Sequence, residues 1–172
     1  SYEIDFWGKF ASADKAARAR ALSQEASRST VQISLYANVA QSYFALRALD
    51  AQATLAEQTL KTRQENLRLQ KRRFDGGVIG EIDFRQAEAE AAVAQATLLT
   101  VQQNRSNAES ALALLLGRPA AGIAQPQLAR GADLLALYAH QAVPKDLPSD
   151  LLNRRPDLLA AEQSLIAANA DL

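Results

Sequence analysis

Glycine and proline are so sparse in parts of this 172-residue chain that two long stretches contain neither. Gly8 is followed by no glycine or proline until Gly76, and Gly80 by none until Gly117. The residues between are rich in Ala, Leu, Gln, Arg and Glu, all good helix formers. The distribution therefore predicts two long helices, over 9–74 and 82–116, joined by a bend at 75–81. At about 1.5 Å per residue the first would run roughly 95 Å and the second roughly 55 Å. Helices of compact domains average about 11 or 12 residues, so these belong to a different architecture. A short bend can only return the chain alongside itself. The predicted fold class is all-α: an elongated antiparallel coiled-coil hairpin.

After the second stretch the texture changes. Residues 117–149 hold four of the five prolines and three of the seven glycines, with room for one short helix over 132–141. A further helix is predicted over 150–172, starting after Ser149 as N-cap or again at Pro156, a residue suited to a first helical turn. At the other end, Tyr2-Glu3-Ile4-Asp5-Phe6 alternates like a strand before Trp7-Gly8 interrupts it, so residues 1–8 read as the end of a strand. The whole is expected to be one helical domain, 1–172, and to be a piece of something larger.

Composition narrows the chemistry. Lys plus Arg number 19 and Asp plus Glu 19, leaving no basic footprint for nucleic acid. Cysteine is absent, which excludes a disulfide scaffold, a thiol nucleophile and thiolate metal ligation. With His140 as the one histidine, neither a multi-histidine metal site nor an ordinary Ser/His triad is expected. No apolar run approaches the about 18 residues of a membrane-spanning helix. No catalytic residue, cofactor or metal is expected, and a helical-bundle enzyme is disfavoured because no titratable cluster converges.

Both long stretches carry seven-residue repeats with three- and four-residue spacing, the mark of a coiled-coil seam. In the second stretch the main seam runs from Phe84 through Ala87, Ala91, Ala94, Leu98 and Val101 to Leu112 and Leu115. In the first it runs from Val39 through Leu46, Leu49, Ala53, Ala56 and Leu60 to Leu67 and Phe74. Each stretch also has a second, thinner seam on the opposite side, through Phe44, Ala51, Leu55 and Leu69 in the first and Ala89, Ala92, Ala96 and Leu99 in the second. Two seams fit a helix with a neighbour on each side, as in a closed wall of helices; alanine falling by chance into any register is the alternative. Nearer the start, the pattern moves to Ala19, Leu22, Ala26, Ser29, Ile33, Tyr36, Ala40 and Tyr43. That shift implies a change of partner, for which the helix from Pro156 is the candidate.

Several segments, in order, resemble the TolC/OprM-like outer-membrane efflux factors. They are Asp5-Phe6-Trp7-Gly8-Lys9 with Val39-Ala40-Gln41-Ser42-Tyr43-Phe44, then Arg73-Phe74-Asp75-Gly76-Gly77-Val78 through Asp83-Phe84-Arg85-Gln86-Ala87. Ala113-Leu114-Leu115-Leu116-Gly117-Arg118-Pro119 follows. The most specific is Leu147-Pro148-Ser149-Asp150-Leu151-Leu152-Asn153-Arg154-Arg155-Pro156-Asp157-Leu158, which resembles the junction into the second structural repeat in the subgroup serving resistance-nodulation-division pumps. The resemblance implies a homotrimer in the full-length parent, with strands in the outer membrane and a periplasmic α-barrel. This chain would be a periplasmic fragment from a Gram-negative bacterium, carrying one hairpin, an equatorial segment and the entry to repeat two. It further implies a periplasmic adaptor and an inner-membrane resistance-nodulation-division pump as partners, with passive conduction as the activity. A coiled-coil scaffold or stalk without a transport role is the rival expectation.

Gly76, Gly77, Val78 and Gly80 then correspond to the adaptor-docking tip, besides permitting positive φ at a helix end. The family's tip triplet is Val-Gly-Leu; Gly77 matches its glycine, while Gly76 and Val78 depart from the flanking positions. Asp83 complements the N-terminus of its helix, and in the family its position joins the polar links that hold the tip closed. Lys71, Arg72 and Arg73 complement the end of the first helix. Arg105 interrupts the main seam and is expected to snorkel or to pair with a carboxylate such as Glu109. Arg154, Arg155 and Asp157 are expected to support a helix start. Phe6, Trp7 and Phe10 fit either an interfacial aromatic girdle or a small packing cluster.

Overall fold

The computed structural model describes residues 5–118, 128–131 and 148–171. Among them all regular structure is helical: α1 (Lys9–Asp75), α2 (Glu81–Leu115), a 3₁₀ segment (Ser149–Arg154) and α3 (Pro156–Ala170). The helix expected over 132–141 and His140 lie outside the described residues. No described helix is long and apolar enough to cross a membrane. The chain forms two compact units, one of residues 1–38 with 142–172 and one of residues 39–141.

The second unit is the hairpin. Its helices run antiparallel, since Phe74 meets Phe84 next to the bend and Arg63 reaches Glu90 further along. The main seam is the buried one: Leu46 and Ala53 on α1 face inward, as do Ala87, Ala91, Leu98 and Leu112 on α2. Small and large residues alternate along it, which lets the backbones approach while the leucines fill the space. The second seam stays open, with Leu55 and Leu99 both more than half exposed. Each helix thus buries one stripe within the hairpin and leaves another uncovered.

The first unit pairs the start of α1 with α3, as the change of seam predicts. The buried stripe matches the expected one only in part: Ala19 belongs to it, but Ala16 and Ser23 do not. Ala16, Ala19 and Ser23 are buried, whereas Leu22, Ile33 and Tyr36 are exposed. Small side chains win because they admit α3 closely enough for direct hydroxyl contacts. Ser23 Oγ donates to the Ala160 carbonyl at 3.0 Å and lies 2.9 Å from Ser164 Oγ. Arg20 pairs with Asp171 at the far end of α3.

Both flanking helix starts fall at expected residues, Lys9 and Pro156. Asp5-Phe6-Trp7-Gly8 does not continue a strand: Phe6 and Trp7 turn, and Asp5 Oδ2 accepts the Phe10 and Ala11 amides, both at 3.0 Å. A carboxylate bonding the free amides of a first turn is a favourable cap. Ser149 opens only a 3₁₀ turn, because Pro156 lacks the amide a continuous α-helix would need there and instead begins α3. Arg155 then grips Asp157 through two hydrogen bonds, 3.1 and 2.7 Å, while Asp157 accepts the Leu158 amide. That grip holds the Asp157 carboxyl below its usual value and Arg155 above its own.

Phe6, Trp7 and Phe10 do not pack together. Trp7 is 97% exposed, and Phe10 is approached by the Lys9 ammonium at 5.9 Å.

Candidate functional site

The bend between α1 and α2 is closed by backbone hydrogen bonds alone. The Val78 amide donates to the Arg73 carbonyl at 2.8 Å and the Gly77 amide to Phe74 at 2.9 Å. With Gly77 at φ +70°, this is a Schellman closure that satisfies the last carbonyls of α1. Gly76 bonds back to Arg72 at 3.0 Å, and a side chain there would meet that carbonyl oxygen at 3.3 Å. Nothing lies within 4 Å of the position a Gly77 Cβ would take. The glycine therefore serves backbone conformation, and its surroundings are open. Gly80 precedes α2 in extended conformation and its carbonyl accepts the Phe84 amide at 3.4 Å.

Two apolar side chains stand out from this closed backbone: Val78, 74% exposed, and Ile82, 82% exposed. Beneath them Phe74 and Phe84 stack across the hairpin. Arg85 lies 5.5 Å from the Phe84 ring and is held by Glu81 at 3.3 Å and Glu88 at 2.9 Å. The hydrogen bond that Arg85 donates to Glu88 leads in raising the Arg85 pKa, so the guanidinium stays charged. Glu81 and Asp83 occupy the first turn of α2, and Arg72 and Arg73 the last turn of α1, each matching the helix dipole.

The structure brings Gly76, Gly77, Val78 and Gly80 into one tip and places Asp83 in the first turn of α2. Asp83 lines a shallow cleft with Arg73, Asn66, Gln70 and Ile79 below it. Sequence reasoning missed Ile82 as a tip residue and missed the Phe74–Phe84 stack. The signal for the second was available, because both phenylalanines sit where the two main seams meet the bend. Arg105 does not take Glu109 as its hydrogen-bond partner. Glu109 is bound by Arg130, which reaches it at 2.7 Å from a segment distant in sequence; Arg105 acts on it only through space. Among the described residues no group of three His, Cys, Asp or Glu side chains could hold a metal ion.

With this geometry in place, comparison defines the class. Residues 1–118 match the family model described as outer membrane efflux protein. The chain belongs to that family. It is 38% identical, over its whole length and 34% of the relative's, to the probable efflux pump outer membrane protein TtgC of Pseudomonas putida. It is 33% identical, again over its whole length and 36% of the relative's, to the pyoverdine export outer membrane protein OpmQ of the same species. Among solved structures it superposes on a membrane protein from Pseudomonas aeruginosa with a TM-score of 0.85 and 31% identity, covering 99% of this chain and 38% of that one. CusC, described as forming a transmembrane channel, gives 0.83 and 30%, covering 98% and 38%. The chain spans about a third of the length of these relatives.

Proposed function

We propose that this chain is the periplasmic α-helical part of an outer-membrane channel subunit in a tripartite efflux system. The hairpin supplies wall, compounds pass without chemistry, and the tip docks a periplasmic adaptor protein that couples to a resistance-nodulation-division pump in the inner membrane. The observation that carries this reading is the tip itself. Its backbone is self-satisfied, its central glycine has free space around it, and it presents Val78 and Ile82 outward. Such a surface is ready for close backbone approach by a partner. The open second seam supports the wall, since a helix in a ring of helices needs apolar residues on two sides. In the full-length parent the channel is a homotrimer anchored by strands.

The test uses the full-length parent with two substitutions. Gly77→Glu places a charged side chain at the point of approach, at a backbone cost of about 1–3 kcal/mol. It is expected to abolish export and adaptor cross-linking while outer-membrane abundance stays near normal. Leu98→Glu puts a charge in the buried seam and is expected to lower abundance itself. Normal export with Gly77→Glu would remove the docking role and leave the hairpin as a scaffold. Loss of the protein from the membrane together with export would do the same.

A further inference from the structure

The hairpin unit carries a second polar constellation, well away from the tip and unused by the reading above. Its centre is Arg130. The Arg130 Nε lies 2.9 Å from Asp50 Oδ2 on α1, and its Nη1 lies 2.7 Å from Glu109 Oε1 on α2. The same Glu109 oxygen accepts the Leu128 amide at 3.4 Å, and Arg130 Nη1 also bonds the Leu128 carbonyl at 3.1 Å. From the other side, the Tyr43 hydroxyl donates to the Arg130 carbonyl at 2.6 Å. Gly131, at φ +62°, makes room for that hydroxyl: a Cβ there would meet it at 3.0 Å. Arg47 shares Asp50 at 3.2 Å.

Among the described residues, each bond that fastens 128–131 thus ends on Arg130 or on a group that Arg130 holds. The charges are largely shielded, with side-chain exposures of 28% for Arg130, 19% for Asp50 and 12% for Glu109. A buried charge cluster is a poor way to add stability, because apolar residues of similar volume usually do as well. It differs from an apolar contact in that removing one charge strands the others and undoes the whole arrangement. The cluster also lies beside a seam that is held by other means, through Leu46 and Leu112.

We propose that Arg130, gripped between Asp50 of α1 and Glu109 of α2, is a single-point charge latch. It fastens the strap 128–131 across both helices of the hairpin, and its release frees the strap while the helical seam stays closed. The latch has two states, strapped and unstrapped, and neutralising either carboxylate shifts the balance between them.

The Arg130–Gly131 bond gives a direct readout, because trypsin can cut there only when the Arg130 side chain leaves its two carboxylates. The experiment follows trypsin cleavage of the 172-residue chain after Arg130 and, in the same digest, after Arg85 within α2. In the chain with its own residues, cleavage after Arg130 is expected to be slow. Asp50→Asn and Glu109→Gln each keep Arg130 and the local shape while removing one charge. Each is expected to speed cleavage after Arg130 about tenfold or more, as the open population rises, with cleavage after Arg85 unchanged. Tyr43→Phe removes one neutral bond and leaves the grip intact, so its effect is expected to be smaller than either charge variant. Unaltered cleavage after Arg130 in both charge variants would overturn the latch. A parallel rise at Arg85 would overturn it too, since the cluster would then be an ordinary part of the hairpin's stability. A Tyr43→Phe effect equal to the charge variants would show that the backbone bond, not the charge, does the holding.

Discussion

Phe74 and Phe84 stack nearly parallel across the bend, with ring centroids 5.3 Å apart and planes 9° from each other. One is the last main-seam residue of α1 and the other the first of α2, so the pair closes the seam directly beneath the tip. Their coupling is expected to be about 0.5–1.5 kcal/mol in a double-mutant cycle of Phe74→Leu and Phe84→Leu. Urea unfolding of the two single variants and the double measures it. Additive effects would mean that the rings merely adjoin.

Gly77 sits at φ +70° with open space around it. Gly77→Ala is therefore expected to lose about 1–2 kcal/mol from the left-handed backbone alone. Gly77→Asn should lose less, because asparagine tolerates that region better. Thermal unfolding of both variants checks the order; equal losses would point to a steric cause that the open surroundings do not supply.

Leu46 is fully buried in the main seam. Leu46→Ala is expected to cost about 2–5 kcal/mol, while Leu55→Ala, on the open second seam, should fall within about 0.5 kcal/mol. Denaturant midpoints of the isolated chain test the contrast. In an assembled channel the second value should grow, if a neighbouring helix covers Leu55.

The Arg130 hydrogen bond is the leading cause that holds the Glu109 carboxyl below its ordinary value, against burial, which acts in the opposite direction. Glu109 in turn leads in raising Arg130. A carboxyl with a lowered folded-state pKa contributes stability that is fully present above the unfolded carboxylate range. That contribution is lost as pH falls through the lowered value. Asp50, Arg47 and Arg105 also face the site. The hold on residues 128–131, read as protection of the Leu128 amide from hydrogen exchange relative to Glu109→Gln, is expected to be greatest near pH 7 and to shrink under acid. A gap that is constant with pH would rule out the charge as its source.

Asp5 bonds two free amides of the first turn of α1. Asp5→Ala is expected to fray that turn at a cost of about 0.5–2 kcal/mol. Hydrogen exchange of the Phe10 and Ala11 amides should rise while that of Leu46 stays protected.

Much of the fold was legible because its causes are local. Breaker placement set both long helices to within a residue, since a helix persists wherever nothing interrupts it and glycine supplies the left-handed turn that ends it. The seven-residue repeat picked the buried face of the hairpin, because a periodic apolar stripe can meet its partner in only one way. The same logic held only in part on the first unit, where size rather than apolarity chose the contact: Ala19 is buried as the repeat predicts, but Ala16 and Ser23 join it, and Leu22 and Tyr36 are left outside. Asp5 as a cap, Ile82 at the tip and Arg130 between Asp50 and Glu109 were likewise decided in three dimensions. A charged side chain carries no periodic mark of its partner. Which carboxylate an arginine meets depends on where the chain returns, and only the folded hairpin brings residues 50, 109 and 130 together.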